Sequence, residues 1–132
     1  AKFNGVEVEL QTTPLKDLTV TANYTYTNAD EGLALRIPKS KINGSVGYGL
    51  GDSTYLSLAY QYVSERSDTD FATFSTVDLE PFSLVDLYAK HDFSKTLSVF
   101  FSINNVFNKE YFEVIDFTTR GRNVRVGFTL KL

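Results

Sequence analysis

Three groupings of residues in this sequence have the types and spacing to do chemistry. His91, the one imidazole, stands beside Asp92 and near Ser94, the side-chain types of a nucleophilic triad. Successive side chains on a strand point to opposite faces, so these three cannot converge as neighbours. A turn or interfacial histidine is the better reading, and no catalytic residue is expected. Asp68-Thr69-Asp70 sets two carboxylates at the i, i+2 spacing by which a hard cation such as Ca²⁺ can be shared. The surrounding stretch, 64–80, also holds Glu65, Asp78 and Glu80 against Arg66 alone. The plainer alternative is a solvated acidic loop, so no metal centre is assigned. Phe71 and Phe74, in the same stretch, can touch a ligand or pack against neighbouring loops, and packing is favoured. Arg120 and Arg122 flank Gly121 and offer guanidinium forks suited to phosphate or carboxylate groups. The favoured structural alternative has Gly121 making a turn and Arg122 anchoring a strand by pairing with carboxylates.

Composition removes other chemistries. The chain has 132 residues and no Cys, which excludes disulfides, thiolate catalysis and Cys-based zinc sites. A net charge of −3 argues against nucleic acid as a partner, since its binders concentrate positive charge. The glycines between Gly44 and Gly51 do not form the dinucleotide fingerprint, and they lie in a strand pattern with no helix N-terminus for phosphate. No cofactor is expected. The chain begins at Ala1 and contains no Met, so a processed or partial chain is expected. Its 11 Phe and 8 Tyr are many for an ordinary domain of this size.

The elements that must position these residues follow from a period of two. Seven alternating runs can be marked, around 4–11, 18–27, 41–50, 55–62, 82–92, 97–104 and 123–132. The last places Val124, Val126, Phe128, Leu130 and Leu132 on one face and Asn123, Arg125, Gly127, Thr129 and Lys131 on the other. No window carries an apolar i, i+3, i+4, i+7 stripe, so the expected class is all-β and antiparallel. The runs are longer than the ~5–6 residues of ordinary strands and match the ~9–11 of a tilted membrane-spanning strand. Their polar partners are mostly Thr, Ser, Asn and Gly. Tyr24, Tyr26, Tyr60 and Tyr62 sit near the ends of the apolar rows, where interfacial girdles form. Connections alternate between tight (around Thr13–Lys16, Leu50–Ser53 and Phe93–Lys95) and long (28–38, 64–80 and 108–122). That asymmetry belongs to transmembrane barrels, with short turns on one side and extended loops on the other. The final run then descends to the short-turn side. Seven is an odd count, and an eighth strand hidden within 108–122 is the alternative.

Asn105-Val106-Phe107-Asn108-Lys109-Glu110-Tyr111, a short loop, and Gly121-Arg122-Asn123 opening a last alternating strand closely resemble the C-terminus of TonB-dependent outer-membrane receptors. Asn105, Phe107, Tyr111, Gly121 and Arg122 are the motif positions, taken as structural. Phe82–Ala89 and Ile37-Pro38-Lys39-Ser40-Lys41 are similar to other strand segments of the family, and the overall spacing resembles the vitamin B12 and siderophore receptors. The resemblance implies a C-terminal portion, 1–132, of a plugged barrel of about 22 strands. It also implies uptake of a scarce metal chelate, a siderophore-iron complex or cobalamin. Implied partners are outer-membrane lipid and lipopolysaccharide, the TonB energy-coupling complex through an N-terminal part not in this sequence, and the barrel-assembly machinery through the last strand. Leu132 stands where that family usually closes on an aromatic. The implied location is the outer membrane of a Gram-negative cell, with the C-terminus periplasmic. On this reading Asp68, Asp70, Phe71, Phe74 and Arg120 are the candidate ligand contacts. Three rivals stand beside it: a small self-contained eight-stranded barrel acting as an adhesin, a soluble lipid-binding barrel, and an outer-membrane hydrolase.

Overall fold

The computed structural model describes residues 2–29 and 34–131, and the expectation at Leu132 lies outside them. Every described element is a strand: β1 (Phe3–Leu15), β2 (Leu18–Ala29), β3 (Ser40–Leu50), β4 (Thr54–Val63), β5 (Arg66–Asp70), β6 (Ser75–Leu79), β7 (Phe82–Asp92), β8 (Leu97–Asn104) and β9 (Asn123–Leu130). Seven of them form one antiparallel sheet in the order β1-β2-β3-β4-β7-β8-β9, and β5 pairs only with β6. The main sheet is open, with β1 and β9 at its two ends.

The register carries the alternation of each strand across the whole sheet. Val8 lies opposite Tyr24, Tyr24 opposite Ile42, and Ile42 opposite Tyr62. Leu58 meets Leu87, Leu87 meets Ile103, and Ile103 meets Val124. One face is therefore an apolar sheet of Val, Leu, Ile, Phe and Tyr. The other carries Glu7, Glu9, Asn23, Lys41, Asn43, Gln61, Asp86, Lys90 and Arg125, because a period of two commits every second residue to one side. Many apolar-face residues stand in the open, Val8 at 58% and Phe128 at 73%. Buried apolar residues among those described are Val63 and Phe82, paired at the long-connection ends of β4 and β7, and Leu79 at the end of β6, so they gather where the sheet meets the β5–β6 hairpin rather than along the strands.

Two glycines on the polar face are seats for aromatic rings. A Cβ at Gly47 would run into the Tyr55 ring, and one at Gly127 into the Phe100 ring. Tyr55 and Tyr88 are 6.4 Å apart between centroids, and Tyr88 stacks with Phe100 at 6.2 Å. An aromatic strip thus crosses β4, β7 and β8, flanked on β3 and β9 by residues without side chains.

The structure corrects several expectations. Residues 64–80 are not a plain loop: β5 is polar throughout and β6 offers only Val77 and Leu79, too short an apolar beat to mark a strand pair, yet the two form a hairpin with five residues on each side. No strand occurs in 108–122 among the described residues, so the main sheet keeps seven. The first tight turn falls at Lys16-Asp17, with Asp17 at φ 65°, and Pro14 lies inside β1. It is tolerated there because the register shifts between Thr12 and Leu15, a bulge at which no regular ladder bond is lost.

Candidate functional site

Antiparallel alternation puts all three long connections at one end of the sheet, and there the described residues meet most closely. Asp68, on the inward face of β5, is fully buried. Its Oδ1 accepts from Arg36 Nε at 2.7 Å and from the Thr69 N–H at 2.8 Å, and its Oδ2 accepts from the Ile115 N–H at 2.9 Å. Burial alone pushes this carboxyl up. The hydrogen bonds from Ile115, Arg36 and Thr69, with the charge of Arg36, outweigh it and leave the group below its ordinary range. Two residues earlier on the same face, Arg66 is buried, donates through Nη2 to the Phe112 carbonyl and lies 5.1 Å over the Phe82 ring. Burial lowers the Arg66 pKa, opposed by Glu113 and Asp68. Its Nη1 has no hydrogen-bond partner among the described residues. The Arg36 N–H also donates to the Ser67 carbonyl at 2.7 Å.

Asp70 shares the face of Asp68 but serves the hairpin turn. Its carboxylate accepts from the Ala72 N–H and from Thr73 Oγ1, each at 2.8 Å, and the Thr73 bond first among these holds its pKa low. The two carboxylates therefore answer to different donors, and no cluster of three or more metal-ligating side chains occurs among the described residues. Phe71 and Phe74 stand at the hairpin tip, 63% and 82% exposed, with Arg36 5.9 Å from the Phe71 ring. Phe74 is held at φ 55°, a conformation a bulky side chain seldom adopts.

The motif residues after β8 form a second knot. Asn105 is buried at φ 52°. Its amide donates to the Lys109 carbonyl at 2.9 Å and accepts from the Lys109 N–H at 2.8 Å. Asp86 on β7 fixes the strand end, accepting from Asn104 Nδ2 and from the Asn105 N–H, both at 2.8 Å. Asn108 Oδ1 takes the Arg122 N–H at 2.8 Å, and a Cβ at Gly121 would crowd that oxygen at 2.7 Å. Gly121 is thus small to admit Asn108, with no positive φ, and the anchor at Arg122 is its backbone; among the described residues neither the expected turn nor a side-chain ion pair of Arg122 occurs. Tyr111 packs on Phe82 at 4.4 Å, and burial pushes its hydroxyl pKa up. Phe107 is 75% exposed.

Below this knot a hollow of about 330 Å³ is lined by Leu84, Asp86, Asn104, Tyr111, Arg120 and Arg125, among others. Arg120 was anticipated at this end of the molecule. Arg125 was not, because in the sequence it is one more polar residue of an alternating strand. His91 bonds Thr54 Oγ1 through Nδ1 at 2.7 Å, Asp92 pairs with Lys90 at 2.9 Å, and Ser94 Oγ accepts from the Leu97 N–H at 3.0 Å. The three triad types are each engaged elsewhere, at the short-turn end. Tyr24 and Tyr60, by contrast, bond Ser40 and Ser83 at the long-connection end.

Residues 1–106 match the model of the family described as TonB dependent receptor-like, beta-barrel. Among solved structures, the chain is similar to the ferripyoverdine receptor FpvA of Pseudomonas aeruginosa in complex with a pyoverdine and iron. The TM-score is 0.83 at 22% identity, over 97% of this chain and 19% of that one. It is also similar to the ferric-catecholate import receptor Fiu of E. coli K12, with TM-score 0.80 and 14% identity over 96% of this chain and 20% of that one. The siderophore receptor PirA of Acinetobacter baumannii gives TM-score 0.80 and 16% identity, over 96% and 21%. The chain spans about a fifth of the length of these structures.

Proposed function

The chain belongs to the TonB-dependent receptor β-barrel family, and from that premise we propose that it forms the C-terminal wall of an outer-membrane receptor importing a ferric chelate. The observation that carries this reading is the two-faced register: seven strands share one apolar face and one polar face, joined by short turns at one end and long connections at the other. A lipid-facing row, a polar lumen row and extended outer loops have that form. The apolar rows face lipid, with Tyr24, Tyr26, Tyr60 and Tyr62 in the girdle on the outer side. In this reading the long connections face outward and the short-turn end, with the close of β9, faces the periplasm.

On this reading the ligand approaches from the long-connection end. Arg120 and Arg125 meet anionic groups of the chelate from the hollow beside Tyr111, while Phe71 and Phe74 offer apolar contact from the hairpin. One similar structure is an FpvA–pyoverdine–iron complex and another is a ferric-catecholate import receptor, which supports iron chelates over cobalamin. Lipopolysaccharide borders the girdle, β9 is the strand presented to the assembly machinery, and energy coupling through TonB belongs to other parts of the receptor. One similar structure is a complex of FpvAI with pyocin S2, which supports a protein as a further partner of the receptor.

The test is uptake. A strain deleted for the receptor that contains this sequence, supplied with ferric chelates as sole iron source, should lose growth and ⁵⁵Fe accumulation on one chelate class and regain both on complementation. Uptake of every ferric chelate at wild-type rate in the deletion strain would overturn the reading.

A further inference from the structure

Arg66 and Asp68 are adjacent on one face of β5, and both reach the same neighbouring segment through its main chain. Arg66 donates to the Phe112 carbonyl and Asp68 accepts from the Ile115 N–H. One tooth of this grip is a donor and the other an acceptor, three residues apart on the segment they hold. On its other side the same carboxylate takes Arg36 Nε, while the Arg36 N–H bonds the Ser67 carbonyl. Three connections that are far apart in the chain therefore meet at two side chains, both buried. A buried carboxylate and guanidinium with several directional bonds do not slide: moving one connection alone would strand a charge away from water.

We propose that Arg66 and Asp68 form a clamp that makes the connection before β3, the β5–β6 hairpin and the segment after β8 move as one body. Because the clamp grips Phe112 and Ile115 by backbone atoms, it does not depend on which side chains stand there. Phe112 and Phe117, both exposed, are free to change with the ligand while the three connections stay joined. Holding and recognition are thereby assigned to different atoms. The coupling itself goes beyond the transport reading, and only its use for ligand recognition rests on it.

The experiment places spin-label pairs on exposed positions of the complete receptor in detergent. Thr76 with Thr118 spans the hairpin and the segment after β8, and Thr76 with Lys39 spans the hairpin and the connection before β3. Wild-type protein should give one narrow distance distribution for each pair. The double variant Arg66→Ala/Asp68→Ala should at least double the width for Thr76–Thr118, and Arg36→Gln should broaden Thr76–Lys39 only. Phe112→Ala and Phe117→Ala should change neither width. Heat-modifiable gel migration checks that each barrel has assembled. Should the double variant not assemble, Asp68→Asn preserves the shape: its carbonyl oxygen keeps the Ile115 bond, so it should release the Lys39 arm and spare the Thr118 arm. Unchanged widths in the clamp variants would overturn the proposal, as would Phe112→Ala broadening Thr76–Thr118 as much as the double variant does. The widths do not depend on transport, so uptake can fail while the clamp stands, and the reverse.

Discussion

At the scale of single residues, burial and function part company with residue type. Asp68 was legible in the sequence only as half of an acidic pair. Its partners lie 32 and 47 residues away, and no local pattern announces them. Asp86 and Arg125 were hidden for a similar reason, each being one polar member of a regular alternation. The folded-state pKa of Asp68 is depressed, so its stabilisation is complete above the ordinary value of 3.8 and is lost as pH falls through the lower folded value. Amide exchange at Ile115, corrected for its intrinsic pH dependence, should show constant protection from pH 7 to about 4.5 and lose it only below the ordinary carboxylate range. Asp68→Asn should abolish that acid limb. Asn105 gives a second prediction. It holds both main-chain groups of Lys109 and sits at positive φ, so Asn105→Ala removes two part-buried hydrogen bonds and strains the new residue. A loss of about 2–4 kcal/mol is expected from the two effects together, read from urea unfolding in micelles.

At the scale of elements, the main-sheet strands were readable because a period of two needs no knowledge of the partner strand. Ends were harder: β1 runs to Leu15, past a proline that a bulge accommodates. The β5–β6 hairpin was unreadable, since Ser67, Asp68, Thr69 and Asp70 offer no apolar beat and its inner face sets the ions Arg66 and Asp68 opposite Leu79 and Val77, two apolar residues too few to mark a strand. The aromatic strip on the polar face is likewise a property of register, which places Phe100 directly opposite Gly127. Gly127→Val should force the ring aside and break its stacking on Tyr88, costing about 1–3 kcal/mol by overpacking. Phe100→Ala should also destabilise. The double variant should lose less than the sum, because valine then fills space the ring has vacated. Strict additivity in the unfolding midpoints would show that ring and glycine do not meet.

At the scale of the whole molecule, the described residues hold far too little interior for a water-soluble domain. A soluble chain of about 150 residues buries ~68–70% of its unfolded surface, most of it around a shared apolar core. Here the buried apolar residues are Val63, Leu79 and Phe82, while Val6, Leu10, Val124 and Val126 are each more than half exposed. These exposed residues are not scattered. The register gathers them into one continuous face, far beyond the few hundred Å² a soluble monomer tolerates. Both ends of the sheet also present unpaired edges, β1 on one side and β9 on the other, each a template for association. Residues 1–132 produced alone should therefore show no cooperative thermal transition in detergent-free buffer and should sediment as aggregates. Micelles should suppress aggregation by covering the apolar face, yet leave the edges open, so heat-modifiable migration should still be absent. Restoring the rest of the barrel should bring it back, because only closure pairs both edges. A monodisperse 1–132 with a sharp melt in plain buffer would mean that the apolar rows face one another across a closed interior, as in a soluble lipid-binding barrel, and the membrane reading would fall with it.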